Sequence, residues 1–402
     1  MTSKRYLGFG LTVLAAVVLA AVLVTQGGGG SDGPRDRSTA VVPASIPADC
    51  SRAVEGDLMR FLSTVPDGMK VQFPKAGCYG QDRTIVVTDR KNLVIDGGGS
   101  TFKRITPPNP TNPAGENTNN ANWRILRSDT VTLRNMTIRG NYEPPPRGTP
   151  GQGQYTDHGI SVWGGLNHTI VDVAVSNTDG ELVGVDADVE TAGRLFGGDY
   201  AKAEPSRNIV IDRLRGEHAS RQCVATTAVD GFTMRDSTIV DCQQTGFDAE
   251  VDLQGVVNRN IKILNNTFSG VYFAAIQVPV LSLPGFEGTV GEVEIRGNTM
   301  TQAGDTCLPA IYIGDKRGGI TGLTITDNTL LTLGDGIQFN GEPASAIQGS
   351  VSNNTIRRPV DNNVCDNPNF MPPYSTPIRL NGSPVTVSGN RFENFCCNQN
   401  LP

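Results

Sequence analysis

The sequence predicts an all-β solenoid, a single right-handed parallel β-helix, carried behind an N-terminal transmembrane or signal segment. Three observations lead there: one turn residue that returns at the length of a coil, short β-branched strands around it, and a Gly-rich, charge-poor composition. The recurring turn position reads Asn266, Asn298, Asn328, Asn354 and Asn390, at spacings of 32, 30, 26 and 36 residues. Repeats of that length are what coils of two or three strands plus loops require. Stacked Asn amides can hydrogen-bond from coil to coil, and Asn also tolerates left-handed backbone. A β-sandwich has no need of the same turn residue at every repeat. Charged residues make up 18% of the chain and Gly contributes 47 positions, which suits many tight turns.

The elements follow in chain order. Lys4 and Arg5 precede an uncharged apolar run, Leu7 to Val24. It exceeds the ~7–15 residues of a signal-peptide core and nears the ~20 of a bilayer span. Residues 1–26 are therefore read as a signal anchor, with a cleaved signal peptide as the alternative. The basic flank predicts an inside N-terminus and an outside domain. Residues 27–48, opening on Gly27–Gly30, read as a flexible tether, and 49–402 as the β-helix domain. Val54, Leu58, Phe61, Leu62 and Val65 have helical spacing, which predicts a short amphipathic lid over the first coil, ended by Pro66-Asp67-Gly68.

Strands before the turn are clearest at Ile261-Lys262-Ile263-Leu264 and Val293-Glu294-Ile295-Arg296. A further strand per coil reads Gln222-Cys223-Val224-Ala225-Thr226, Thr245-Gly246-Phe247-Asp248-Ala249-Glu250 and Ala275-Ile276-Gln277-Val278, with apolar and outward residues alternating. All eight cysteines lie beyond the apolar run and none forms a CxxC pair, which favours disulfides outside the cytoplasm. A Cys50–Cys78 bridge would pin the lid. Cys307, Cys365, Cys396 and Cys397 leave three connectivities open.

The lid helix, the Phe73-Pro74-Lys75-Ala76-Gly77 turn and the Asn ladder resemble the pectin-lyase-like superfamily over roughly residues 50–395. The resemblance implies the fold and an association with polysaccharides, but no single reaction, because that fold hosts hydrolases, lyases, epimerases, esterases and adhesins. Asn177-Thr178-Asp179-Gly180 is similar to a turn of the polygalacturonase branch, and Cys223 with Cys242 is placed like its inter-coil disulfide. Where that branch carries paired aspartates this chain has Arg221-Gln222-Cys223, and Thr245-Gly246-Phe247-Asp248 replaces its Gly-His-Gly turn. Its catalytic set is therefore not carried over, and Asp179 is read as a turn residue.

Placing the strands side by side predicts two outward columns. One contains Ser161, Asp186, Ala225, Asp248, Gln277 and Tyr312; the other Trp163, Asp188, Thr227 and Glu250. Four carboxylates then surround a small-residue floor. Acid/base hydrolysis of a glycosidic bond needs two carboxyls ~6.5–9.5 Å apart in the inverting geometry, with repulsion between them separating acid from base. The same four acids could hold Ca²⁺, which takes several carboxylate oxygens, or could be structural and solvated. No other cofactor is expected. Arg221, with His158 or Tyr272, offers the alternative of a lyase or epimerase acting on a uronate.

A glycan-binding surface protein is the non-catalytic reading. Substrate contacts are expected from Trp163, His158, Gln222, Gln277 and Tyr312, with Tyr142, Tyr155 and Tyr272 as further stacking rings. Loops 141–155 and 191–205 would wall the groove. The net charge of −6 argues against nucleic acid and disfavours polyanions. A monomer is expected.

Overall fold

The computed structural model describes residues 38–106, 121–143, 157–188, 202–251, 257–280, 289–302, 308–315, 319–341, 347–359 and 376–395. The apolar run Leu7–Val24 lies outside these residues, as do Tyr155, most of the two expected wall loops, and Cys307, Cys365, Cys396 and Cys397. No helix among the described residues is long and apolar enough to cross a membrane.

Among the described residues most coils contribute three strands, and like strands pair in parallel from coil to coil, giving three stacks around one core. The first two stacks merge into a 21-stranded sheet because Val94–Arg104, Thr132–Arg139 and Thr169–Thr178 run through the corner between them. The third stack has ten strands, from Ile85–Thr88 to Ile378–Arg379. In the first stack the register sets Ile263 on Ile295, Ile295 on Ile325, Ile325 on Val351 and Val351 on Val387. All but Val387 are fully buried, each contributing about 1.5–3 kcal/mol of apolar transfer. Period-two alternation is thus what turns a coil's worth of short strands into a continuous core.

The Asn ladder forms at the corner between the first and second stacks. Asn298 Oδ1 accepts from the backbone N–H of Asn266 at 2.8 Å and from its Nδ2 at 3.1 Å. The pattern repeats from Asn298 to Asn328, Asn328 to Asn354 and Asn354 to Asn390, all at 2.9–3.0 Å. The left-handed residue is the one before the ladder position: Asn265, Gly297, Asp327, Asn353 and Gly389 have φ of 55, 70, 58, 57 and 65°. The backbone role and the ladder role therefore fall on neighbouring residues rather than on one Asn.

At the N-terminal end α1 (Glu55–Thr64) buries Leu58 and Leu62 over the first coils, as the helical spacing predicts. Cys50 and Cys78 are disulfide-bonded beneath it, joining Asp49–Ala53 to Cys78–Gln81. One boundary differs from the expectation. Thr39–Val41 pairs in parallel with Lys70–Gln72, and Val42 and Ile46 are buried. A described strand thus falls inside the segment read as tether, because Thr39-Ala40-Val41 pairs despite the Pro- and Ser-containing surroundings that disguise it.

Candidate functional site

The site is built on the outer face of the third stack, where consecutive strands put every second side chain outward. Val183–Asp186, Val224–Thr226, Phe247–Asp248 and Ile276–Val280 supply successive rungs. The register aligns Ser161 with Gly184, Gly184 with Ala225, Ala225 with Asp248, Asp248 with Gln277 and Gln277 with Tyr312.

This corrects the predicted columns by one alternation. Gly184, not Asp186, shares the column of Asp248, while Asp186 lies beside Trp163. Continuing the register two residues past Ala225 and Asp248 puts Asp186, Thr227 and Glu250 in one column, with Asp186 and Glu250 two coils and so about 10 Å apart. Asp188 moves farther along, to the strand exit, where its carboxylate lies 3.9 Å from Arg127. The error arose because Gly184 and Asp186 both occupy outward positions of an alternating strand, so apolar pattern alone does not choose between them. Among the described residues no three His, Cys, Asp or Glu side chains converge as a metal site, and the four-acid calcium cage loses its ligand set.

Asp248 and Glu250 do come together. The Nε2 of Gln222 donates to Glu250 Oε1 at 2.7 Å and to Asp248 Oδ2 at 3.4 Å, so one amide bridges the two carboxylates. Thr245 Oγ1 adds a 3.4 Å contact to the same Asp248 oxygen. Asp248 is 2% exposed, whereas Glu250 is half-buried. Both line a groove of about 300 Å³ together with Gln222, Gln243, Gln244 and Thr245. Its far wall is Tyr272, Phe273 and Gln277, and Tyr312 meets Phe273 edge-on with ring centres 6.1 Å apart. The Tyr312 hydroxyl accepts from Asn340 Nδ2 at 2.8 Å. The disulfide Cys223–Cys242 holds this corner, since its two cysteines adjoin Gln222 and Gln243 in sequence.

Arg221 and His158 belong to a buried ion network instead. Arg221 Nη1 donates to Glu181 Oε1 at 2.5 Å, and His158 Nδ1 lies against the other oxygen of Glu181. All three residues are under 9% exposed. Burial alone would raise the Glu181 carboxyl, but His158 and the Arg221 guanidinium outweigh it and hold it down at about 2. Asp157 accepts from Arg104 at 2.7 Å, while its neighbour His158 turns to Glu181. Glu181 was missed because its partners lie 23 and 40 residues away and only register brings them together.

Trp163 is not the open platform the alternation predicts. It is 7% exposed, and the Arg124 guanidinium covers its ring at 3.8 Å. The aromatic wall of the groove is Tyr272 and Phe273, of which the sequence pointed to the tyrosine alone. Gln243 and Gln244 were also missed, because they follow the second-stack strand Thr238–Cys242 and reach the groove only around the corner. Asp179 sits in its turn, with Asn177 left-handed at φ 58° and the Asp179 carbonyl accepting from Ser220 Oγ.

No family model and no curated protein matches the chain. Solved structures do. An endo-xylogalacturonan hydrolase from Aspergillus tubingensis superposes with a TM-score of 0.59 at 13% identity, over 90% of this chain and 98% of that one. An iota-carrageenase complexed to iota-carrageenan fragments gives 0.55 at 11% identity, over 89% of each chain. The chain therefore shares the parallel β-helix fold of these two proteins.

Proposed function

We propose that this protein hydrolyses glycosidic bonds of a polysaccharide outside the cytoplasm, with Asp248 and Glu250 as the reacting carboxyl groups. The observation that carries the reading is the shared Gln222 amide, which holds two acids side by side in a groove walled by aromatic rings. The two bridged oxygens lie at most about 6 Å apart, just short of the ~6.5–9.5 Å between the carboxyls of an inverting pair. Asp248 is assigned the proton-donor role, since a charge is costlier in its more enclosed position. It protonates the departing glycosidic oxygen. Glu250, the more solvated group, takes the proton of the attacking water, whose hydroxyl forms the new bond at the anomeric carbon. Asp186, across Thr227 in the same column as Glu250, is positioned to bind sugar hydroxyls. Gln222 and Gln277 contact the glycan, and Tyr272 and Phe273 pack against ring C–H faces.

Both polysaccharide-acting proteins that share the fold add support, since their names describe cleavage of galacturonan- and carrageenan-type chains. The two disulfides suit an oxidising compartment. With Lys4, Arg5 and the Leu7–Val24 run, they support an ectodomain on a single membrane anchor.

The test is a polysaccharide-panel digestion scored for new reducing ends and for ultraviolet absorbance together. Reducing ends without absorbance, lost in Asp248→Asn and Glu250→Gln, are the expected result. An unsaturated, absorbing product would replace hydrolysis with elimination. No product from any polymer would leave a binding protein.

A further inference from the structure

We infer that the sugar units seated beside Asp248 and Glu250 carry no anionic group, an inference that rests on the glycan-binding reading of this groove. Its first support is what the groove accepts. Gln222 is 3% exposed and its Nε2 donates to Glu250 at 2.7 Å, a carboxylate that takes hydrogen bonds and gives none when ionised, so the amide orientation is fixed with Oε1 on the other side. That Oε1 has no hydrogen-bond partner, and neither has Oε1 of Gln243, which is 5% exposed and lines the same groove. Two buried acceptors beside two carboxylates call for donors. Sugar hydroxyls are donors. A uronate carboxylate or a sulfate group presents only acceptors and, turned toward them, would leave both glutamine oxygens unmatched.

Its second support is where the cations go. No Lys, Arg or His is among the described residues lining the groove. Arg221 is engaged with Glu181 at 2.5 Å, and four rungs from Asp248 on either side Arg379 pairs with Asp335 at 2.5 Å and Arg124 lies over the Trp163 ring. An anionic sugar would therefore meet the Glu250 carboxylate with no compensating charge from the lining, and like charges repel most where water is excluded. Acceptor surplus and missing cation are independent features, and both reject the same substrates.

Binding by the full-length protein to matched polymers tests this, using gel-retardation at low temperature. A neutral polysaccharide is compared with its own carboxymethylated and sulfated derivatives. At least one neutral polymer should be retained, its charged derivatives should bind roughly 100-fold more weakly, and Gln244→Arg should narrow that gap. Equal or tighter binding of an anionic derivative, or retention of no neutral polymer, would overturn the inference. Neutral binding without any cleavage would count against hydrolysis while leaving this inference intact. Cleavage of an anionic polymer would do the reverse.

Discussion

Gln222 is the side chain on which the site turns, because its single amide nitrogen reaches both Glu250 and Asp248. Removing either acid takes away a proton-transfer partner, so Asp248→Asn and Glu250→Gln should each lower kcat by about 10²–10⁴-fold with little change in melting temperature. A steady-state assay beside a thermal melt separates that outcome from misfolding. Glu181 answers to different physics. It neutralises Arg221 in a dry position, and Glu181→Ala should cost about 3–5 kcal/mol in denaturant unfolding by stranding the guanidinium.

His168 supplies a pH signature. It is fully buried, its Nδ1 accepts from the Val131 N–H at 3.1 Å, and burial lowers its pKa from 6.5 to about 4. The unfolded chain thus binds this proton first. Stability from this group is complete above pH 6.5, falls as pH drops toward 4, and loses about 3 kcal/mol in total. Denaturant midpoints across that window should show the slope, and His168→Gln should flatten it. Of these residues the sequence pointed to Asp248, Glu250 and Gln222 through alternation. Glu181 stayed hidden because a charged residue's partner 40 positions away leaves no local mark.

At the scale of elements, the Asn ladder was legible because a corner that must satisfy the next coil's N–H repeats its solution in every coil. Asn298→Ala would remove acceptors from Asn266 and donors to Ile263 and Asn328, at about 1–3 kcal/mol for each buried group left unmatched. Asn298→Ser should be milder, since Ser237 already fills one ladder position and accepts from the Leu214 N–H at 3.0 Å. Urea titration of the two variants checks the order. The register of the third stack was less legible. Val183–Asp186 offers two outward positions of equal pattern, and choosing wrongly moved Asp186 into the column of Asp248. The Cys223–Cys242 bridge ties the second stack to the third beside Gln222 and Gln243. Cys223→Ser with Cys242→Ser should cost about 3 kcal/mol and weaken glycan binding as the two glutamines loosen.

Across the whole molecule, a one-dimensional stack explains why fold and site differed in legibility. Repetition writes the architecture into the chain many times, so one misread coil hardly matters. The groove is written once, at a corner where residues from two stacks and several coils meet, and so Phe273, Gln243 and Gln244 escaped notice. Charge behaves in the same way. The net −6 is visible in the sequence, but the neutralisation of Arg221 and Arg379 appears only when the coils are stacked.

The most direct measurement is a crystal structure of the Glu250→Gln protein soaked with an oligosaccharide from the polymer it retains. The account predicts sugar rings between Tyr272/Phe273 and Gln222, with the glycosidic oxygen within hydrogen-bonding reach of Asp248. A sugar bound instead on the second-stack face around Arg215 and Glu217, with the Gln222 groove empty, would contradict it.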